Sequence, residues 1–152
     1  MAKLDLSKAR LKTGSIYPEP FNGMMAGRSS LRLGDLGGLT QFGANMVILA
    51  PGAKSSLRHW HEREDEFIMI TMGTCTLIDN DGETEMSVGD CAAFPANTPN
   101  AHHFVNTTDQ EARFLVIGTR GPSEVAHYPD NDMKVTIADG NATFTNANGD
   151  PL

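Results

Sequence analysis

The chain has 152 residues, 39% of them hydrophobic, enough to bury a core of its own without disulfide or metal staples. Twelve basic residues against nineteen acidic ones leave a formal charge of −7. That is the wrong sign for a surface that neutralises nucleic-acid phosphates or anionic lipid, so neither nucleic acid nor a membrane is expected as a partner.

In chain order, the opening MAKLDLSKARLK has no apolar signal core, and no later run approaches the ~18 apolar residues of a membrane span. A cytoplasmic protein is expected. Residues 1–38, with Pro18 and Pro20, read as an arm with first strands that pack on a barrel or on a partner subunit. Fifteen glycines and eight prolines then cut the chain into short pieces, and nowhere does an apolar stripe of period 3.6 persist for three turns. The predicted strands are FGANMVILA from Phe42, SLRHWH from Ser56, EFIMITM from Glu66, TCTLID from Thr74, ETEMSV from Glu83, CAAFP from Cys91, AHHFVN from Ala101 and ARFLVIGT from Ala112. Turn chemistry separates them, at Pro51-Gly52, Gly73, Asn80-Asp81-Gly82 and Gly89-Asp90. Residues 39–121 therefore read as an all-β barrel or sandwich core, and residues 122–152 as a polar tail with weak strand signals near MKVTI and ATFT. Cys75 and Cys91 lie in apolar strand-like runs and are expected as small core residues, and Met24, Met25, Met46, Met69 and Met72 as core fillers.

The stretch RHWHEREDEF, residues 58–67, carries the chemistry. Side chains alternate along a strand, so His59 and His61 point to one face while Arg58 and Trp60 point to the other. The polar EREDE forms a turn, which lets Glu66 open the next strand with Ile68, Ile70 and Met72 on its own face, the inside of the barrel. A slipped register would make Asp65 the competing carboxylate. In AHHFVN, His102 shares a face with Phe104 and His103 with Val105, and one of the two histidines must look inward. Neutral imidazoles on an apolar inner wall need partners. With a carboxylate they suit a borderline divalent metal.

These residues resemble the cupin family. PGAKSSLRHWHEREDEFIMITMG is similar to the first cupin motif, met by Gly52, His59, His61, Glu66 and Gly73, with one extra residue after the first glycine. GDCAAFPANTPNAHHFVN is similar to the second, met by Gly89, Pro95, His102 and Asn106, with Asn97 where a glycine is usual and two extra residues before the histidine. Asparagine tolerates left-handed backbone better than most residues. The resemblance implies a double-stranded β-helix, the jelly-roll barrel of cupins. It also implies one divalent metal ion per chain (iron, zinc, manganese or nickel) on His59, His61, Glu66 and His102, and a homodimer. Anchoring on the closing Asn106 is what selects His102 over His103. The chain further resembles small conserved-barrel cupins that are often labelled sugar-phosphate isomerases.

Such a site implies an enzyme acting on a small organic molecule, as a dioxygenase, decarboxylase, lyase or isomerase. A barrel that holds a small molecule or sugar without turnover is the alternative, and a metal that serves stability alone a third. Ile68, Ile70 and Phe104 are expected to line a largely apolar pocket. No cluster of cations that would hold a phosphate is legible, since Arg28, Arg32, Lys54, Arg113 and Arg120 have no assigned direction.

Overall fold

Residues 2–152 are described by a computed structural model of the chain. A short β1 (Leu11–Thr13) is followed by β2 (Arg28–Arg32), a single helical turn α1 (Leu33–Leu36) and the long β3 (Phe42–Leu49). Then come β4 (Trp60–His61), β5 (Glu66–Met72), β6 (Thr74–Asp79), β7 (Gly82–Ser87), β8 (Cys91–Phe94), β9 (His103–Val105) and β10 (Ala112–Thr119). The chain ends in β11 (Ser123–Tyr128), β12 (Met133–Ala138) and β13 (Asn141–Thr145). Among the described residues, no helix is long and apolar enough to cross a membrane.

The strands assemble as the expected all-β jelly-roll barrel, the double-stranded β-helix. One wall is a six-stranded sheet in the order β1-β2-β3-β10-β5-β8. The other comprises the three strands β7-β6-β9 and the four strands β13-β12-β11-β4. Residues 54–61 link these two groups. Lys54 and His59 form bridges to Val105 and His102 beside β9, and Trp60 and His61 pair with His127 and Ala126 of β11.

Register decides what faces inward. Ser30, Val47, Phe114 and Ile70 lie in one cross-strand row of the six-stranded sheet, with Lys12 opposite Ser30 at its end. Val47, Phe114 and Ile70 are buried with Leu49, Ile68, Cys75, Met86 and Phe104 in the main core. Each fully buried aliphatic or aromatic side chain contributes on the order of 1.5–3 kcal/mol, so this inner face is the main source of cohesion. A second core under the C-terminal sheet gathers Met25, Leu57, Ala126, Tyr128, Met133 and Val135. Gly73 joins β5 to β6 at φ +70°, and a Cβ there would stand 2.7 Å from the carbonyl oxygen of Glu111, so no larger residue fits. Asn97 takes the left-handed backbone that its place in the second motif suggests, at φ 57°.

The structure corrects several expectations. The strand predicted from Ser56 is reduced to Trp60–His61, because two more residues separate Lys54 from His59 than separate His102 from Val105 across the ladder. The excess bends residues 55–58 out of the sheet. Met72 is 45% exposed rather than inward; the pairing of β5 with β10 shifts register between Arg113 and Phe114, which breaks the alternation after Ile70. Met24 and Met69 are exposed as well, while Met25 is core. Cys75 is buried, whereas Cys91 is exposed on the outer side of β8. Trp60 stacks on its cross-strand partner His127 in its own sheet, centroids 4.3 Å apart and planes 11° apart. The polar C-terminal segment carries a further strand, β11, whose buried Glu124, Ala126 and Tyr128 alternate inward.

Candidate metal centre

Neighbouring segments of the barrel deliver the histidines and the glutamate to one place. His59 immediately precedes β4 and His61 ends it, Glu66 opens β5, and His102 immediately precedes β9. His59, His61 and Glu66 each offer a ligand atom, all within 4.8 Å of one another. His102 Nε2 stands 2.8 Å from Glu66 Oε2. Reciprocal backbone bonds tie His59 to His102, N–H to carbonyl in both directions at 3.2 and 2.9 Å.

The ring orientations are set by what the far nitrogens touch. His59 Nδ1 lies 2.9 Å from the carbonyl oxygen of Leu57 and His102 Nδ1 lies 3.1 Å from that of Asn100. A carbonyl only accepts, so each Nδ1 carries the proton and donates it, and Nε2 is turned toward the cluster. Tyr128 stacks on His59 at 5.5 Å and Phe94 on His102 at 3.4 Å, fixing both ring planes. Burial pulls His59 down to about 3, with the neighbouring imidazoles adding to the effect against the opposing charge of Glu66. His61 is lowered by burial too. For Glu66, burial alone would raise the pKa, but the imidazoles that face it, His102 foremost, outweigh burial and hold the carboxyl at about 2.

This donor set fits a divalent ion. The His59 imidazole is neutral and turns a lone pair toward an ionised carboxylate, an arrangement that a cation relieves. The 2.8 Å between His102 Nε2 and Glu66 Oε2 is the spacing of two donors that share an ion at ordinary ligand distances of about 2.0–2.2 Å. His61 Nδ1 is buried without a hydrogen-bond partner, and Glu124 Oε1 stands 3.9 Å from it.

The remaining residues singled out in the sequence lie around this cluster. His103 Nδ1 donates to the carbonyl of Ser56 at 2.9 Å, and its ring lines the same cavity. Asp65 is exposed and accepts from the amide of Ala96 at 2.8 Å, outside the cluster. Arg58 points away and pairs with Asp130 at 2.9 Å. Ile68 and Phe104 line the cavity above the histidines, whereas Ile70 lies in the core beneath it. The cavity has a volume of about 290 Å³, at the low end of small-molecule sites.

Sequence reasoning missed three groups. Glu124 is 2% exposed, and its carboxylate accepts from the backbone amides of Glu62, Arg63 and Val125 at 2.9, 3.1 and 2.8 Å, which pins the turn between His61 and Glu66. Tyr17 and Tyr128 line the cavity with rings edge to face at 5.4 Å. Lys12 and Arg28 line it as well, so cations do converge there, contrary to the sequence reading. No spacing rule could have found these groups, because each depends on a pairing between distant segments.

Comparison with known proteins bears on the family and the fold. The cupin domain family of the Cupin_2 type matches residues 45–118. A crystal structure described as a sugar phosphate isomerase from a cupin superfamily, from Silicibacter pomeroyi, is 57% identical over 99% of this chain and 96% of its own, with a TM-score of 0.97. A candidate sugar phosphate isomerase from Acidithiobacillus ferrooxidans is 25% identical over 95% of this chain and 88% of its own, at a TM-score of 0.81. The polyketide cyclase RemF from Streptomyces resistomycificus, at 23% identity, 78% and 79% coverage and a TM-score of 0.61, shares the fold. No curated protein matches. The chain belongs to the cupin superfamily.

Proposed function

We propose that the chain is a metal-dependent isomerase of a small phosphorylated sugar, holding one divalent ion through His59, His61, Glu66 and His102. The observation that carries this reading is the convergence of the neutral, carbonyl-anchored His59 with His61 and the ionised Glu66, and of His102 at 2.8 Å from Glu66, at the wall of a small cavity. The name given to the relative at 57% identity supports the isomerase class. Aldose–ketose isomerisation moves hydrogen between adjacent carbons and consumes no co-reactant. The ion would polarise the carbonyl and hydroxyl oxygens of the sugar. The chain's own part is to orient those oxygens, to exclude water with Ile68 and Phe104, and to hold His59 and His102 in one tautomer through Leu57 and Asn100.

The test begins with elemental analysis of protein purified without a histidine tag, beside His59→Ala/His61→Ala. One ion per chain is expected in the wild type and none in the double variant. His102→Ala should lose the ion and His103→Ala keep it; the reverse pattern would transfer the ligand role. Metal-loaded protein is then incubated in heavy water with phosphorylated aldoses, and proton NMR reads deuterium uptake beside the carbonyl and formation of the ketose. Binding without exchange for every sugar tried would replace the enzyme with a sugar-holding module.

The same reading includes a homodimer. Leu11, Leu31, Met46, Leu115, Met69 and Cys91 form an unbroken row across the outer face of the six-stranded sheet, set by its register. Exposed Phe42, Phe67 and Met72 extend this face. An apolar sheet surface of this width favours a second copy over water.

A further inference from the structure

The cavity has a second chemical pole opposite in character to the histidine cluster. Arg10, Lys12, Arg28 and Arg32 lie on the paired segments of β1 and β2. Lys12 stands opposite Ser30, and Arg28 and Arg32 flank Ser30 two residues to either side. Residues two apart share a face, so all four cations belong to the face that Ser30 and Val47 turn inward. Among the described residues none of the four forms an ion pair. Unpaired cations gathered on an inward face are unexpected in a chain of net charge −7, because each repels the others. The repulsion is visible at Lys12, whose ammonium is lowered by burial and then by Arg32, Arg28 and Arg10.

Two of them reach the cavity. Lys12 and Arg28 line it together with His59, His61, Glu66 and His102. Arg28 is aimed: its Nε donates to the carbonyl of Ser55 at 2.6 Å. Its terminal amino groups have no protein partner among the described residues and remain free to grip an anion as a fork. We propose that Lys12 and Arg28 form an anion subsite that binds the phosphate of the substrate, so that the sugar's carbonyl end extends toward the histidine cluster. The subsite rests on the proposed reading of the centre as that of a phosphorylated-sugar isomerase. It assigns to the N-terminal arm the choice between phosphorylated and free sugars.

The test uses inorganic phosphate as probe and the full chain freed of metal by chelation, with calorimetry or phosphorus NMR as readout. Saturable binding is expected in the wild type. It should weaken at least tenfold in Arg28→Gln and in Lys12→Met, the loss expected when one charge-assisted hydrogen-bonding group is removed. Arg28→Lys should fall between. Lys12→Met changes a partly exposed arm residue and serves if Arg28→Gln does not fold, as judged by circular dichroism. Arg113→Gln removes a cation outside the cavity and should bind phosphate as the wild type does.

No saturable binding, equal binding in Lys12→Met and wild type, or equal loss in Arg113→Gln would overturn the subsite. The two readings fail separately. A wild type that binds phosphate but no metal sinks the isomerase centre and leaves the subsite standing. Turnover of sugar phosphates with an unchanged KM in Lys12→Met/Arg28→Gln sinks the subsite alone.

Discussion

At the scale of single residues, the two cysteines show how one strand pattern leads to opposite fates. Cys75 lies inside the core, and burial pushes its thiol up to about 11, whereas Cys91 stands exposed on the outer edge strand. The thiolate is the reactive species, so a maleimide at pH 8 should modify one thiol per folded chain, Cys91. Cys75 should react only after unfolding in urea, and mass spectrometry of the labelled peptides reads which site carries the adduct. Fast modification of Cys75 in the native state would mean that β6 opens readily. The sequence alone could not separate the two, since TCTLI and CAAF are equally apolar and the outer face of this sheet is apolar as well. His59, His61 and Glu66 were legible because strand parity and one hairpin turn, both local rules, place them together.

At the scale of elements, the turn between β4 and β5 depends on a residue far away in sequence. The Glu124 carboxylate on β11 satisfies the amides of Glu62, Arg63 and Val125. Replacing it by alanine leaves these donors unpaired around a cavity, and the expected cost is on the order of 3 kcal/mol in urea unfolding. Glu124→Gln keeps an acceptor oxygen and should cost roughly half as much or less. Equal midpoints for Glu124→Ala and wild type would show that water replaces the carboxylate. Most strands were legible from their bounding turn residues, including β3, β5, β6, β7 and β10. The shortened β4 and the register shift near Met72 were not, because both arise from a mismatch in residue count between partners, which no single strand records. The inward direction of Lys12 and Arg28 was hidden as well, since it follows from the pairing of Ser30 with Val47.

At the scale of the whole molecule, the barrel fold was legible from strand spacing and the two motifs, while its apolar outer face was not. The row that runs from Leu11 to Cys91 across six strands is the proposed dimer surface. Light scattering should give twice the 16.4 kDa chain mass. Met69→Glu, which sets a charge within that row, should give a monomer with its metal content unchanged. A monomeric wild type would return that face to solvent.

The reciprocal bonds between His59 and His102 join segments far apart in the chain, and the proposed ion would add a clamp at the same point. Contacts of such sequence separation cost loop entropy and tend to form late on the path to the native state. Metal should therefore act on the way out rather than on the way in. Stopped-flow measurements with and without bound ion are expected to show a slower unfolding arm and an unchanged refolding arm. The ion would then make the barrel long-lived without helping it to fold, and a chain that lost its metal would be exposed first through the rate at which it opens.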